Sequence, residues 1–202
     1  MIEAIDAPFA MFNKISRLNR EIVITEKIDG TNAQIFIGDD GKTIKAGSRT
    51  KWLAPGKATD NFGFATWVEQ NREELLKLGP GRHYGEWWGA GIQRRYGLQE
   101  KRFSLFNTSR WADPTVRPAC VSVVPVLYTG PWATNDYLDA FAGVDNPMFA
   151  PAAILYKLKA EGSKAAPGFM DPEGIVVFHA ASGQLFKATC KNDESYKSME
   201  AE

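Results

Sequence analysis

The sequence is poor in cysteine and histidine, with only two of each among 202 residues. Cys120 and Cys190 are far apart and form no Cys-x-x-Cys pair, and His83 and His179 are equally isolated. A structural zinc site needs more ligands at closer spacing, and a disulfide framework needs more cysteines. The composition therefore argues against a structural zinc site and against a disulfide framework. We expect apolar packing to stabilise the fold.

Net charge and long apolar runs are also missing. Lysine plus arginine number 24 and aspartate plus glutamate number 24, so a nucleic-acid partner would have to be held by a local basic patch. The longest apolar run, near residues 121–127, is broken by Pro125 and is far too short to cross a membrane. The N-terminal residues do not have the pattern of a signal peptide. We expect a soluble cytoplasmic protein that does not associate with membranes.

What the sequence does contain is a set of short strand patterns with few helices. The length predicts a single domain over residues 1–202, and aromatic residues make up 12% of the chain. Alternating and β-branched segments, several joined by turn signals, predict strands at residues 21–27, 33–37, 42–46, 84–88, 103–107, 121–128, 174–179 and 184–189. Helical spacing predicts helices at residues 60–78, 134–141 and 152–160. Because the strands come mainly as hairpins, we expect an α+β domain built on antiparallel sheets.

One strand ends in the sequence EKIDGTN, residues 26–32. Strand alternation places Lys27 on one face and Glu26 on the other, and Gly30 permits a tight turn that a ligand can approach closely. A lysine becomes a nucleophile only when its amine loses a proton, which requires burial or nearby positive charge. The segment alone is more typical of a solvated lysine beside an Asp-Gly turn than of a reactive one.

Later segments supply further groups that chemistry at a phosphate requires. They are GSRT with Arg49, HYGEWWGAG with Glu86, RFSLFNTSRW with Phe106, DPEGIVVF with Glu173 and QLFKATCK with Lys187. In this order the motifs resemble those of the covalent nucleotidyltransferases, which comprise polynucleotide ligases and mRNA-capping enzymes. EKIDGTN and YGEWWGAGIQRRYG are most similar to the ATP-dependent RNA ligases, and the resemblance covers roughly residues 20–190.

The resemblance implies a nucleotidyltransferase (adenylation) domain that uses ATP and Mg²⁺. Lys27 would carry AMP, and the AMP would pass to a 5′-phosphate end that is then joined to a 3′-hydroxyl. The residues implied in ATP binding are Glu26, Asn32, Arg49, Glu86, Phe106 and Lys187. Glu173 would bind the metal. Two positions depart from the family pattern: Asp29 stands where the closest branch often has His, and Lys187 lacks the second lysine of a Lys-x-Lys pair.

The nucleic-acid partner would be RNA ends or a nicked duplex. A stretch from Arg94 to Arg110 is basic and carries interleaved aromatics, so Arg94, Arg95 and Lys101 are expected to contact phosphates. The sequence continues only about fifteen residues beyond Lys187, so we expect no additional OB domain and allow for a helper protein or domain in trans.

Two alternatives to an RNA ligase stay open on the sequence. One is the same chemistry in a DNA ligase or a capping-type guanylyltransferase. The other is a non-catalytic module that binds nucleotide or RNA with the same fold, which the incomplete Lys-x-Lys pair favours and the intact Lys27 opposes.

Overall fold

The structure is a computed structural model that describes residues 9–56, 58–133 and 149–191. This part of the chain contains nine strands and four helices. The strands are β1 (Glu21–Lys27), β2 (Thr31–Ile37), β3 (Ile44–Ser48), β4 (Gly81–Gly89), β5 (Lys101–Leu105), β6 (Ser122–Val123), β7 (Val126–Pro131), β8 (Gly174–His179) and β9 (Gln184–Thr189). The helices are α1 (Phe64–Gln70), α2 (Arg72–Leu76), α3 (Thr108–Trp111) and α4 (Ala150–Glu161).

The strands form two sheets. The first sheet has the order β7-β1-β8-β9 and is antiparallel throughout. The second sheet has the order β3-β2-β4-β5-β6 and is antiparallel except for the short β5–β6 pair. This mixture of antiparallel sheets and short helices confirms the predicted α+β class.

Alternation along β1 decides which side chains reach the first core. Ile22, Ile24 and Glu26 are buried, whereas Val23, Thr25 and Lys27 are only partly covered. The buried isoleucines pack with Ile175 and Val177 of β8 against Ile154 and Leu158 of α4. The opposite face, which carries Lys27, is therefore left open.

One face of the second sheet packs against α1 and α2. Ile35, Trp87 and Phe103 form a core with Phe64 and Leu75 from these helices. The prediction of one helix over residues 60–78 was wrong in its continuity, because the structure has two short helices separated at Asn71. Asp60 stabilises the first turn of α1, because its carboxylate accepts hydrogen bonds from Thr66 N at 2.9 Å and Thr66 Oγ1 at 2.5 Å.

The predicted strand at residues 121–128 was also wrong, because the chain changes sheets within it. Val124 N donates to Leu105 O in the second sheet at 3.0 Å, and Pro125 O accepts from Glu26 N in the first sheet at 2.9 Å. Proline has no N–H with which to continue a ladder, so the strand divides into β6 and β7 at this point.

The remaining helix predictions have different outcomes. The one at residues 152–160 is confirmed as α4, which ends at Glu161 and is followed by Gly162 with a φ of 82°. The one at residues 134–141 lies outside the described residues. Over residues 9–56, 58–133 and 149–191, no helix has both the length and the apolar character needed to cross a bilayer.

Candidate functional site

The two sheets meet at the turn Ile28–Gly30, between β1 and β2. A Cβ atom added to Gly30 would lie 2.5 Å from Trp87 O, so this position accepts only glycine without a shift of the backbone. Asp29 N donates to the Tyr96 hydroxyl at 2.8 Å, and Ile28 packs with Trp88 in a small core between the sheets. The turn that follows Lys27 is thereby fixed in position.

Lys27 is paired with Glu173. Its Nζ lies 2.6 Å from Glu173 Oε1, and the two side chains are 24% and 15% exposed. Glu173 Oε2 is buried and has no hydrogen-bond partner among the described residues. A buried carboxylate oxygen in this state suits a divalent cation, which prefers hard oxygen ligands.

Glu86 lies on β4 opposite Asn32 of β2. Its carboxylate accepts hydrogen bonds from Gly30 N at 3.1 Å and Asn32 Nδ2 at 3.2 Å. Burial raises the pKa of Glu86 to about 7, although the charge of Lys27 and the Gly30 hydrogen bond act in the opposite direction. The negative charges of Glu173 and Asp29 raise this pKa further. The charges of Lys27 and Glu173, at the first sheet, thus act on the pKa of Glu86 in the second sheet. The open faces of the two sheets therefore contribute to one site.

Glu26 is held by the segment that follows α4. Its carboxylate accepts from Ser163 Oγ at 2.5 Å, Lys164 N at 2.7 Å and Ala165 N at 2.8 Å, and the residue is only 1% exposed. The sequence did not reveal this contact, because its partners lie about 138 residues further along the chain in a loop without regular structure. Glu26 therefore anchors the segment that follows α4 to the end of β1.

Arg94, predicted to contact phosphates, lies between two carboxylates. Its Nε donates to Asp29 Oδ2 at 3.1 Å and its Nη1 donates to Asp171 Oδ2 at 2.7 Å. Lys191 Nζ donates to the other oxygen of Asp171 at 2.7 Å. The hydrogen bond from Lys191, with the charge of Arg94 beside it, lowers the pKa of Asp171. Arg94 thus braces the turn after Lys27 against the segment before β8.

The other residues expected to bind ATP lie around this centre. Lys187 is paired with Val176, which is paired with Thr25, so its side chain shares the open face with Lys27. Arg49 lies in the turn that follows Ser48, and Ser48 pairs with Ala33, the neighbour of Asn32 in β2. Phe106 follows β5 and is 41% exposed.

The basic stretch after β4 differs from the expectation. Tyr96, Phe103 and Trp111 are buried, so they cannot stack on bases as the interleaved pattern suggested. Lys101 Nζ donates to Phe62 O at 2.8 Å. Arg95 is exposed, with a φ of 59°. Sequence spacing alone could not distinguish core aromatics from surface aromatics here, because the strand and its flanking turns contribute to two cores.

The side chains that could hold a metal are few. Among the described residues, no group of three or more His, Cys, Asp and Glu side chains is arranged to bind a metal ion. A cation at Glu173 would therefore need further oxygen ligands from a bound phosphate or water, an arrangement typical of Mg²⁺.

Comparison with known proteins relates this arrangement to one family. The chain matches the model of the RNA ligase family over residues 20–189. It is similar to solved structures of Naegleria gruberi RNA ligase mutants, among them an apo form with 19% identity and a TM-score of 0.58. A form with ATP and Mn has 18% identity and a TM-score of 0.56, and one with AMP and Mn has 18% and 0.58. Each match covers 85% of this chain and 50% of the solved chain, so this chain spans about half the length of those proteins. A comparison with curated protein sequences found no match.

Proposed function

Because the chain belongs to the RNA ligase family, we propose that it is an ATP-dependent RNA ligase that carries AMP covalently on Lys27. The observation that carries this proposal is the Lys27–Glu173 pair, in which Glu173 Oε2 is buried without a partner among the described residues. An amine and a carboxylate oxygen that suits a cation lie together at the open face between the sheets. Nucleophilic attack on a phosphate requires both kinds of group.

In the first step the neutral amine of Lys27 attacks the α-phosphorus of ATP. A P–N bond forms, the bond from the α-phosphorus to the bridging oxygen breaks, and pyrophosphate leaves with the electron pair. The amine loses its proton in this step. In the structure this amine is paired with Glu173, so the pair must separate before Lys27 can attack the phosphorus.

In the next two steps the AMP moves to RNA. An oxygen of a 5′-phosphate attacks the phosphorus of lysyl-AMP, which breaks the P–N bond and returns the amine to Lys27. A 3′-hydroxyl then attacks the activated 5′-phosphate, loses its proton and releases AMP.

The cofactor proposal is ATP with Mg²⁺. The related Naegleria gruberi enzymes were solved with ATP and Mn or with AMP and Mn. Glu173 would hold the cation through Oε2, and the cation would offset charge on the phosphate oxygens.

Positions around Lys27 suggest roles in nucleotide binding. We assign ribose or phosphate oxygens to Asn32 and Arg49, and a ribose hydroxyl, as donor, to Glu86. We assign the α-phosphate to Lys187 and the face of adenine to Phe106. Glu26 is assigned to the exocyclic amine of adenine. A carboxylate offers about four acceptor sites, and three are used by the Ser163–Ala165 segment, which leaves one for that amine.

For RNA phosphates, Arg95 and Lys101 fit the proposal better than Arg94. Arg95 is exposed, and Lys101 has a single backbone carbonyl as its described hydrogen-bond partner. Arg94 is shared between two carboxylates, so its charge is largely neutralised within the protein.

The test is mass spectrometry of the protein after incubation with ATP and Mg²⁺. We expect a mass gain of one AMP at Lys27 with ATP, and none with GTP, which separates the proposal from a guanylyltransferase. A second measurement compares sealing of nicks with RNA or DNA on the 3′-hydroxyl side. Faster sealing of the RNA nick is expected, whereas equal or faster sealing of the DNA nick would assign the protein as a DNA ligase. A protein that binds ATP without forming the adduct would be the non-catalytic alternative.

A further inference from the structure

The open face of the second sheet continues outward from the nucleotide site. On β2, alternation places Gln34 and Phe36 on the same face as Asn32. Their partners on β4 are Tyr84 and Arg82. Four residues along a strand span about 13 Å, so Phe36 and Arg82 lie roughly that far along the sheet from Asn32 and Glu86.

An exposed tryptophan is held on this face. Trp52 pairs with Gly47 of β3, and a Cβ atom added to Gly47 would lie 3.1 Å from Trp52 Cε3 and 2.7 Å from Gln34 Cγ. The glycine therefore makes the space that lets the indole ring lie against the sheet. Trp52 nevertheless remains 46% exposed.

Cations flank the ring. The guanidinium of Arg82 lies 5.1 Å from the centroid of Phe36 and 5.4 Å from that of Trp52, and its Nη1 donates to Gln34 Oε1 at 3.0 Å. Lys45, which pairs with Phe36 from β3, has its Nζ 5.8 Å from the centroid of Trp52. We call Phe36, Lys45, Trp52 and Arg82 the outer platform.

We propose that the outer platform binds a single-stranded segment of the RNA substrate. A base would stack on Trp52, and Arg82 and Lys45 would contact phosphates of the same strand. The neighbouring Tyr84, which is 53% exposed, would offer a second stacking surface between the platform and the nucleotide site. This inference rests on the proposed function, because the strand reaching the platform would be one whose end lies at Lys27.

The choice of a single strand follows from the chemistry of the surface. Exposed aromatic rings interleaved with cations on an open sheet suit unpaired bases, which can stack on a ring while the backbone follows the positive charges. The bases of an A-form duplex are stacked on one another and cannot lie flat on a tryptophan. A duplex could contact the cations of this face, but its bases would not stack on the aromatic rings of the face.

The experiment measures binding of an unstructured, fluorescently labelled RNA 12-mer with a 5′-phosphate by fluorescence anisotropy. The test variants are Trp52→Ala, Trp52→Phe and Arg82→Gln. Tyr156→Ala and Lys157→Gln, at exposed positions of α4, are the matched controls. We expect Trp52→Ala to raise Kd about tenfold, the loss of one base–aromatic stack, and Trp52→Phe to retain most of the affinity. Arg82→Gln should reduce the slope of log K against log salt by about 0.7, the value for one phosphate contact of a single strand.

Self-adenylylation separates this inference from the proposed function and checks folding. The outer platform does not contact Lys27, so all five variants should form the AMP adduct at the wild-type rate. A wild-type protein that forms no adduct would refute the proposed function. Normal adduct formation and unchanged RNA affinity in Trp52→Ala and Arg82→Gln would overturn the platform alone. The platform proposal would also be wrong if Trp52→Ala and Arg82→Gln weakened binding of a blunt RNA duplex but not of the 12-mer. The ligand of the outer platform would then be duplex RNA.

Discussion

Lys27 and Glu173 form an ion pair across β1 and β8, with 2.6 Å between Nζ and Oε1. Lys27 is the last residue of β1 and lies opposite Gly174, so the backbone ladder itself brings Glu173 beside the lysine. The amine of Lys27 is thus placed by strand register, and its charge is balanced by the residue that precedes the partner strand.

The first prediction concerns the nucleophile. Lys27→Ala should abolish the AMP adduct, because the Lys27 amine is the one paired with Glu173, the carboxylate proposed to hold the cation. The loss of one partly exposed ion pair should change the free energy of unfolding by only about 1 kcal/mol. Intact-mass spectrometry and thermal denaturation measure the two effects. An adduct that persists in Lys27→Ala would place the nucleophile elsewhere.

The second prediction concerns the cation. Glu173→Gln should slow adenylylation by roughly a hundredfold, equal to about 3 kcal/mol in the barrier, because the amide is a poor ligand for Mg²⁺. EDTA should stop the reaction of the wild type. The control is Glu161→Gln, at an exposed carboxylate paired with Lys164 at 2.8 Å, which should leave the rate unchanged. Full activity in EDTA would contradict the role of a metal.

The third prediction separates two arginines that are adjacent in the sequence. Arg94→Ala removes the brace between Asp29 and Asp171, so it should slow adenylylation as well as RNA joining and lower stability by about 1–2 kcal/mol. Arg95→Ala should weaken RNA joining alone. Separate single-turnover measurements of adenylylation and sealing distinguish these patterns. If Arg94→Ala slowed sealing but not adenylylation, Arg94 would be assigned to direct contact with an RNA phosphate instead of to the brace.

The fourth prediction concerns the anchored carboxylate. Glu26→Ala would leave three donors in the Ser163–Ala165 segment without their acceptor, so it should lower the free energy of unfolding by about 3 kcal/mol. Ser163→Ala removes one of these bonds and also the bond from Ala166 N to the Ser163 hydroxyl, so it should cost about 2 kcal/mol. Denaturant titration of both variants checks the ratio. Equal losses would show that the hydroxyl contributes as much as the whole carboxylate, which this geometry does not allow.

The fifth prediction follows from the raised pKa of Glu86. Between the ordinary pKa of 4.5 and about 7, the folded state keeps a proton that the unfolded state has lost. Stability from this group is therefore fully present below pH 4.5 and is lost as pH rises through about 7. Glu86→Gln cannot ionise, so between pH 5 and 8 it should gain about 2 kcal/mol relative to the wild type. Urea titrations at the two pH values, without nucleotide or divalent cation, measure this difference. Parallel pH dependence in both proteins would contradict it.

Local patterns predicted much of the fold and of the central site. The alternation that placed Ile22 and Ile24 opposite Lys27 is confirmed by their burial, because strand periodicity depends only on neighbouring residues. The resemblance of the motifs identified the family that the comparison then found. The functional roles assigned to individual residues stay predictions.

Other features depended on contacts between distant segments. Nothing near Glu26 indicates that a loop after α4 supplies its donors, and nothing near Arg94 indicates two carboxylate partners. Trp52 and Arg82 come together only because β3 and β4 both flank β2. Their association required the sheet order, which single-sequence patterns do not determine.

The chain crosses from one sheet to the other at Val124 and Pro125, and this crossing limits how the two sheets can move apart. Adjacent residues there are hydrogen-bonded to different sheets, so the sheets cannot separate at this edge without breaking one of these bonds. The turn from β1 to β2 joins the sheets a second time, next to β3. Among the described strands, β9 lies farthest from these two connections. A change in the spacing of the sheets would therefore displace Lys187, which lies on β9, more than Arg49, which follows β3.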